Sequence, residues 1–415
     1  MLDIHFVREH TQEVKDSIAK RGLKVDLDAL LEADKERTRL SAQIDELRAK
    51  RNKPSAKPTP EEIANLQQVK EKLSGLEEEY EKVDGKFSEL MRSLPNLLSS
   101  ESPEGGEEKN KVLRSHGEKP SLSFEPKDHV TLGEELDLID FERASKVTGA
   151  RFYYYKNEMV RLNLALTQYA LDILIKEGFT PIETPDLARN EILDGIGFAP
   201  RGPESQIYNI EGEEISLIGT SEITLGGYHA DEILEAEKLP LKYVGISHCF
   251  RKEAGAYGQY SRGTYRVHQF TKVEMFIYCL PEESEKMHEY LLSLEEKIYQ
   301  GLKIPYQVVE IAAGDLGAAA FRKFDIEAWM PGRDGYGEIT STSNTTDFQS
   351  RRLGIRFRGK DGKTRYAHTL NGTAVALSRA PIAIVENFQQ QDGSIIIPEV
   401  LRPFMGGIDK IEIKR

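Results

Sequence analysis

The sequence predicts an α+β protein: an antiparallel β-sheet flanked by helices, preceded by an N-terminal antiparallel α-helical coiled-coil arm. Three observations carry that prediction. An apolar seam runs through Ile63, Leu66, Val69, Leu73, Leu76, Tyr80, Val83, Phe87, Leu90 and Leu94, with steps that alternate four and three after the first. A proline-punctuated stretch, Lys53 to Pro60, separates this seam from an earlier apolar stripe. Past residue 128, extended apolar segments outnumber the helices that could serve as crossovers, which disfavours a doubly wound parallel sheet.

The earlier stripe is Leu27, Leu30, Leu31, Leu40, Ile44 and Leu47, and it ends near Asn52. Pro54, Pro58 and Pro60 then forbid a continuous helix, since each lacks the N–H a helix interior needs. Thr59 can cap the next helix, Pro60 suits its first position and Glu62 completes a capping box. Gly75 and Gly85 each cost about 1 kcal/mol relative to Ala, which the seam must offset. Two helices with so short a connection fold back as a hairpin, over about residues 27–95 and roughly 40 Å long. No third helix is evident to cover its other faces, so the arm is expected to project. Leu94-Pro95-Asn96-Leu97 stops the second helix, and residues 99–128 read as a linker. Beyond it, helical periodicity appears at Leu162–Lys176 and Glu282–Leu302; strand-like segments appear at Leu241–Ile246, Phe270–Tyr278, Tyr306–Ile311 and Ile382–Val385.

At 415 residues the chain has room for two or three domains, and its formal net charge is −13. An acidic protein is a poor general nucleic-acid binder, so any RNA footprint must be a local basic surface. Residues 35–53 offer one: Lys35, Arg37, Arg39, Arg48, Lys50, Arg51 and Lys53 stand against Glu36, Asp45 and Glu46. The pattern fits either a solvated helical face or a rod that grips a phosphate backbone. The charged opening residues indicate no signal peptide, and no run approaches a membrane span, so a cytoplasmic location is expected. Cys249 and Cys279 lack zinc-ligand spacing and read as buried thiols.

Three blocks carry chemistry. Lys176-Glu177-Gly178-Phe179-Thr180-Pro181-Ile182-Glu183-Thr184-Pro185 is a helix stop followed by an extended piece. Phe250-Arg251-Lys252-Glu253 and Arg266-Val267-His268-Gln269-Phe270 flank a glycine-rich loop; pairing them as strands brings an arginine, an acid and an aromatic ring to one surface. Arg251 can clamp a carboxylate or phosphate in bidentate fashion, and Phe270 offers a flat face to a base. In the third block, Thr369 to Arg379, small residues suit a helix packed under a site from which Arg379 projects. Neither Gly-x-Gly-x-x-Gly nor a P-loop is present, so a nucleotide must be held by other means.

In order, spacing and surroundings these blocks resemble motifs 1, 2 and 3 of class II aminoacyl-tRNA synthetases. The whole chain is similar to the seryl-tRNA synthetase family, through Gly219-Thr220-Ser221-Glu222, Arg251-Lys252-Glu253-Ala254-Gly255, His268-Gln269-Phe270-Thr271-Lys272-Val273-Glu274, Glu338-Ile339-Thr340-Ser341, Thr369-Leu370-Asn371-Gly372 and Pro398-Glu399-Val400-Leu401-Arg402-Pro403. The resemblance implies an N-terminal tRNA-binding domain over 1–110 and a class II catalytic domain over 111–415, with motifs at about 176–187, 248–276 and 369–388. It implies ATP and Mg²⁺, L-serine, tRNA(Ser) with tRNA(Sec) as a second candidate, and a homodimer. Arg251, Glu253 and Arg379 would be catalytic. Arg251 would bridge the serine carboxylate and the α-phosphate, Lys252, Glu253 and Val267 would adjoin ATP, and Phe270 and Arg379 would sandwich the adenine. Glu338, Ile339, Thr340 and Ser341 would complete the ATP site, Glu338 and Ser341 holding the metal. Thr220, Ser221, Glu222, Arg251, Glu274, Asn371 and Thr373 would bind serine. Arg37, Arg39, Arg48, Lys50, Arg51 and Lys53 would serve the tRNA arm.

Ser221, Thr342 and Thr373 depart from the commoner family residues alanine, cysteine and serine; the first two changes are expected to affect packing alone. Gly195–Gln206 reads as a loose loop near the entrance. Three other readings stay open: a ligase loading a carrier protein, for which the arm has no use; a silent tRNA-binding paralogue, for which the full charged set is idle; and a coiled-coil scaffold.

Overall fold

The computed structural model describes residues 1–52, 59–198, 206–254 and 260–413. They form two compact units, Met1–Leu97 and Leu98–Arg415.

In the first unit, α1 (Ile4–Glu9) and α2 (Thr11–Lys20) precede the long pair α3 (Leu27–Arg51) and α4 (Pro60–Ser93). Asp26 caps α3 by accepting from the Ala29 N–H at 2.9 Å. The capping box of α4 forms as expected: Thr59 Oγ1 accepts from the Glu62 N–H at 3.2 Å, and Glu62 returns the bond at 2.6 Å. Towards the tip, Ile44, Leu47 and Leu73 bury themselves with Val69, Leu76 and Tyr80 beside them. At the base one expectation fails. Val7, Val14 and Ile18 of α1 and α2 pack on Leu27, Leu30, Ala33, Phe87 and Met91, so further helices do cover the hairpin there. Both helices are too short for a clear period of their own, which hid them.

The second unit is built on an eight-stranded sheet. Its strands in chain order are β1 (Lys111–His116), β2 (Thr180–Glu183), β3 (Leu241–Phe250), β4 (Gln269–Cys279), β5 (Tyr306–Glu310), β6 (Arg322–Met330), β7 (Gly335–Thr346) and β8 (His368–Ala376). Their order across the sheet is β1-β5-β6-β7-β8-β4-β3-β2. Every pairing is antiparallel except the parallel β2–β3 edge. Packed with the sheet are α5 (Asn157–Lys176), α6 (Ser284–Gly301) and α7 (Ala380–Asn387).

Three expectations change here. The presumed linker 99–128 contains edge strand β1, and residues before it join the second unit: the Ala313 N–H bonds to Pro103 O and the Gly314 N–H to Gly105 O. The segment Thr369 to Ala376, expected as a helix, is the inner strand β8; Ile382–Val385, expected as a strand, lies in α7. All eight residues of α7 are buried, so its apolar run shows no period, while Pro381 sits in its first turn, where its missing N–H costs nothing. Gly195 and Ile196, placed in the expected loop, instead end the helix Asn190–Ile196; residues 199–205 of that loop lie outside the described residues.

α6 faces the sheet with a polar row. Ser284 Oγ donates to Asn344 Oδ1 (2.9 Å), His288 Nε2 lies 3.1 Å from Thr342 O, and Thr340 Oγ1 donates to Glu295 (2.7 Å). Residues 344, 342 and 340 of β7 therefore point at the helix. Burial pushes His288 down to about 4, so its imidazole is neutral and donates to that carbonyl.

Candidate active site

On the opposite face of the sheet lie two adjoining cavities of about 260 and 410 Å³. The smaller is walled by Arg251, Glu253, Tyr265, Arg266, Val267, Phe270, the run Glu338 to Ser341, Thr373 and Arg379. The larger is walled by Thr220, Glu222, Glu274, Ser343, Thr345 and Asn371, with Ile196, Phe198 and Ala318 to Ala320 closing an apolar side. Arg251, Lys272, Lys323 and Ser341 belong to both, and so mark where the two spaces meet.

The β3–β4 ladder pairs Phe250 with Gln269 and Cys249 with Phe270, which delivers Arg251 beside the Phe270 ring at 5.2 Å. Arg251 Nε donates to Gly219 O at 3.2 Å; among the described residues no hydrogen bond takes the terminal nitrogens of its guanidinium. Glu253 adopts φ 49°, an unusual value for a side chain with a Cβ, and accepts from Arg266 at 3.3 Å. Arg379 is fixed from three sides: Nε donates to Tyr265 O (3.3 Å), Nη1 donates to Glu338 O (3.2 Å), and the Tyr265 ring covers it at 4.7 Å.

A bulge aims the acid of β7. Thr340 pairs with Ile326 and Glu338 with the next residue, Glu327, so Ile339 is the extra residue. In an unbroken strand Glu338 would share the α6 side with Thr340. The bulge turns it to the cavity side, with Ser341, 3.1 Å from the Arg379 guanidinium. Burial would raise this carboxyl, but Arg379, Lys323 and Arg251 outweigh it and hold the group at about 2. A carboxylate and a hydroxyl on one face form a hard-oxygen donor pair that suits Mg²⁺ shared with substrate phosphates. Among the described residues no group of three or more His, Cys, Asp or Glu side chains could hold a metal by itself.

In the larger cavity Glu274 is gripped by Lys272 at 2.7 Å and accepts from Thr373 Oγ1 at 3.0 Å. Burial, then the neighbouring Glu274, pushes Glu222 up to about 7, against the 2.8 Å bond it receives from Gln349. That Gln349 amide is itself locked, its Oε1 accepting from Thr369 Oγ1 (2.8 Å) and its Nε2 donating to Ile196 O (3.2 Å). Paired acids in a half-apolar cavity suit a small ammonium compound.

A seryl-tRNA synthetase N-terminal domain model matches residues 1–98, and a model of the tRNA synthetase class II core domain (G, H, P, S and T) matches residues 207–388. The serine–tRNA ligase of Dictyoglomus turgidum is 55% identical, each chain covered over 100% of its length. The chain belongs to the seryl-tRNA synthetase family. Its fold is shared by the seryl-tRNA synthetase of Pyrococcus horikoshii solved with ATP (42% identity, TM-score 0.92, 100% of both chains covered). The cytoplasmic serine–tRNA ligase of Naegleria fowleri, solved with AMP, gives 33% and 0.89 over 100% of this chain and 99% of that one. In this synthetase family member the sheet is thus the class II core, and α3 and α4 are the helical arm.

Most residues singled out from sequence converge on the two cavities, but some do not. Ser221 is buried with its hydroxyl turned towards Gly245, and Lys252 lies over the Tyr208 ring at 5.9 Å; neither is among the described residues that line these two cavities. Thr373 lines the smaller cavity, its hydroxyl committed to Glu274. Thr342, expected to affect packing alone, donates its Oγ1 to Asn371 O of the neighbouring strand at 2.9 Å. On the arm, Arg37 and Arg48 bridge to Asp84 (3.3 Å) and Glu77 (2.8 Å) of α4, whereas Arg39 and Lys50 pair within α3. Arg51 is exposed at the end of α3, and Lys53 lies outside the described residues. Sequence reasoning missed Tyr265, Gln349 and Lys323. Only Lys323 left a trace, a charged Lys323–Asp325 alternation against apolar Phe324 and Ile326.

Proposed function

We propose that this chain activates L-serine with ATP, giving seryl-adenylate and pyrophosphate, and then transfers the seryl group to the 3′ end of tRNA(Ser). The observation that carries this reading is the meeting of an acid-walled cavity with an arginine-rich one at Arg251. A serine carboxylate oxygen attacks the α-phosphorus, the bond to the β-phosphate breaks, and its electron pair leaves on pyrophosphate. Two anions must be brought together in line, so positioning and positive charge matter more than covalent help. Arg251 can bridge both anions, and Phe270 with Arg379 can hold the adenine between a ring and a guanidinium plane. Glu338 and Ser341 would hold Mg²⁺, which when bound neutralises phosphate charge. Glu222 and Glu274 would take the serine ammonium. A hydroxyl-binding pocket rejects alanine by leaving its own buried polar groups unpaired.

We further read the protein as a cytoplasmic homodimer that meets tRNA through α3 and α4. Exposed β2 at the sheet edge and exposed Val160, Leu164 and Ile175 on α5 support a protein partner at motif 1. The arm reads RNA shape through its backbone, with Arg39, Lys50 and Arg51 on its exposed surface. ATP–pyrophosphate exchange tests the core of this reading. Exchange should require serine and fall at least about 100-fold with alanine, while threonine is excluded more weakly, by size. Absence of serine-dependent exchange would refute it.

A further inference from the structure

Of the residues common to both cavities, Lys323 has no role in the reading above. It stands on β6, with β7, β8 and β4 between it and β3, whose end carries Arg251. The two cations therefore approach the junction from opposite sides. The ladder places Lys323 beside Ser343 and Asp325 beside Ser341. Its ammonium lies 3.1 Å from the Asp325 carboxylate, two residues along the same face, with side-chain exposures of 22% and 8%. Burial would lower the lysine, but Asp325 and Glu338 outweigh it, and the group stays an ammonium. Burial also raises Asp325, against the pull of Lys323. We read the pair as ammonium and carboxylate, because at 3.1 Å each charge compensates the burial of the other. As a purely structural element such a pair gives little, since an apolar pair of similar volume often does as well. Its cation, however, faces the junction of the two cavities.

We propose that Lys323 is a further catalytic residue, whose ammonium contacts the α-phosphate from the side opposite Arg251 and stabilises the charge that grows there as pyrophosphate leaves. The inference rests on the adenylate-forming reading of the site. The new bond joins the carboxylate oxygen to phosphorus, and the broken bond leaves its electron pair on pyrophosphate. Lys323 keeps all its protons throughout. Asp325 is a positioning residue that holds the ammonium in place.

Removing Lys323 alone strands Asp325, so the decisive variant is the full-length double Lys323→Met/Asp325→Asn, compared with Lys323→Arg. Serine-dependent exchange is measured with melting temperature and separate KM values for serine, ATP and pyrophosphate. The double variant is expected to melt as the wild type does, to keep KM for serine, and to lose about 100-fold in exchange kcat. Lys323→Arg, which keeps the charge, should recover part of that loss. A double variant exchanging at the wild-type rate would overturn the proposal, leaving Lys323 as the counter-ion of Asp325. So would a uniform rise in all three KM values with kcat unchanged, or equal losses in Lys323→Arg and the double variant. A wild type without serine-dependent exchange is a different result, which removes the adenylate reading itself.

Discussion

Glu222 and Glu274 face the same cavity but are held differently. Glu274 has a lysine 2.7 Å away, whereas Glu222 accepts from the neutral amide of Gln349 at 2.8 Å. Burial and its acidic neighbour leave Glu222 near 7, so at pH 6 it is mostly protonated and at pH 8 mostly ionised. Only the anion attracts an ammonium group, and serine keeps its ammonium over that range. KM for serine should therefore fall as pH rises through about 7, while KM for ATP stays flat. Glu222→Gln removes the titrating group: its KM for serine should lose that pH dependence and at pH 8 exceed the wild-type value about 10- to 100-fold, as loss of a hydrogen bond to a charged group worth about 1.5–3 kcal/mol requires. Steady-state exchange at several pH values decides this. A variant whose profile still bends near 7 would place the titration on another group.

Strands and helices show what a one-dimensional pattern can and cannot reveal. The α4 seam was legible because one face is apolar over ten positions, and Thr59, Pro60 and Glu62 mark its start by local chemistry alone. Gly75 and Gly85 were legible as weak points, and a Cβ built on either meets nothing within 4 Å. Gly75→Ala and Gly85→Ala should each stabilise the arm by about 0.5–1 kcal/mol, read as a higher urea midpoint for the first unit, with exchange unaffected. By contrast, α7 and β8 exchanged identities because both are buried all round, and periodicity vanishes where no face meets water. The Ile339 bulge was equally silent, for register exists only once β6 lies beside β7. Yet that single extra residue lets Glu338 and Ser341 share a face, while Thr340 turns back to Glu295 on α6. Arg251, Glu222 and Arg379 could be named from motif resemblance; the partners that hold or accompany them lie far from them along the chain, Tyr265 against Arg379, Gln349 against Glu222 and Lys323 across the junction from Arg251.

At the scale of the whole molecule, each unit carries its own core. Leu2, Val7, Val14 and Ile18 bury themselves with the base of the hairpin in Met1–Leu97, and both cavities are walled by residues of Leu98–Arg415. Adenylate chemistry and tRNA capture should therefore separate cleanly. The cut belongs at Leu97 rather than at the ends of α3 and α4, because excising the hairpin alone would strand the apolar faces of α1 and α2. A chain beginning at Leu98 should exchange ATP and pyrophosphate with kcat within about threefold of the full protein, since no group that meets ATP or serine is lost. Its charging of tRNA(Ser) should drop at least about 100-fold, because it loses the local cationic cluster at the end of α3, Arg48, Lys50 and Arg51, from a chain that is acidic as a whole. In the full protein, KM for tRNA should climb steeply with salt, and KM for serine should not. Charging retained by the shortened chain would mean that the acceptor is gripped by the catalytic unit, and the arm would need another purpose.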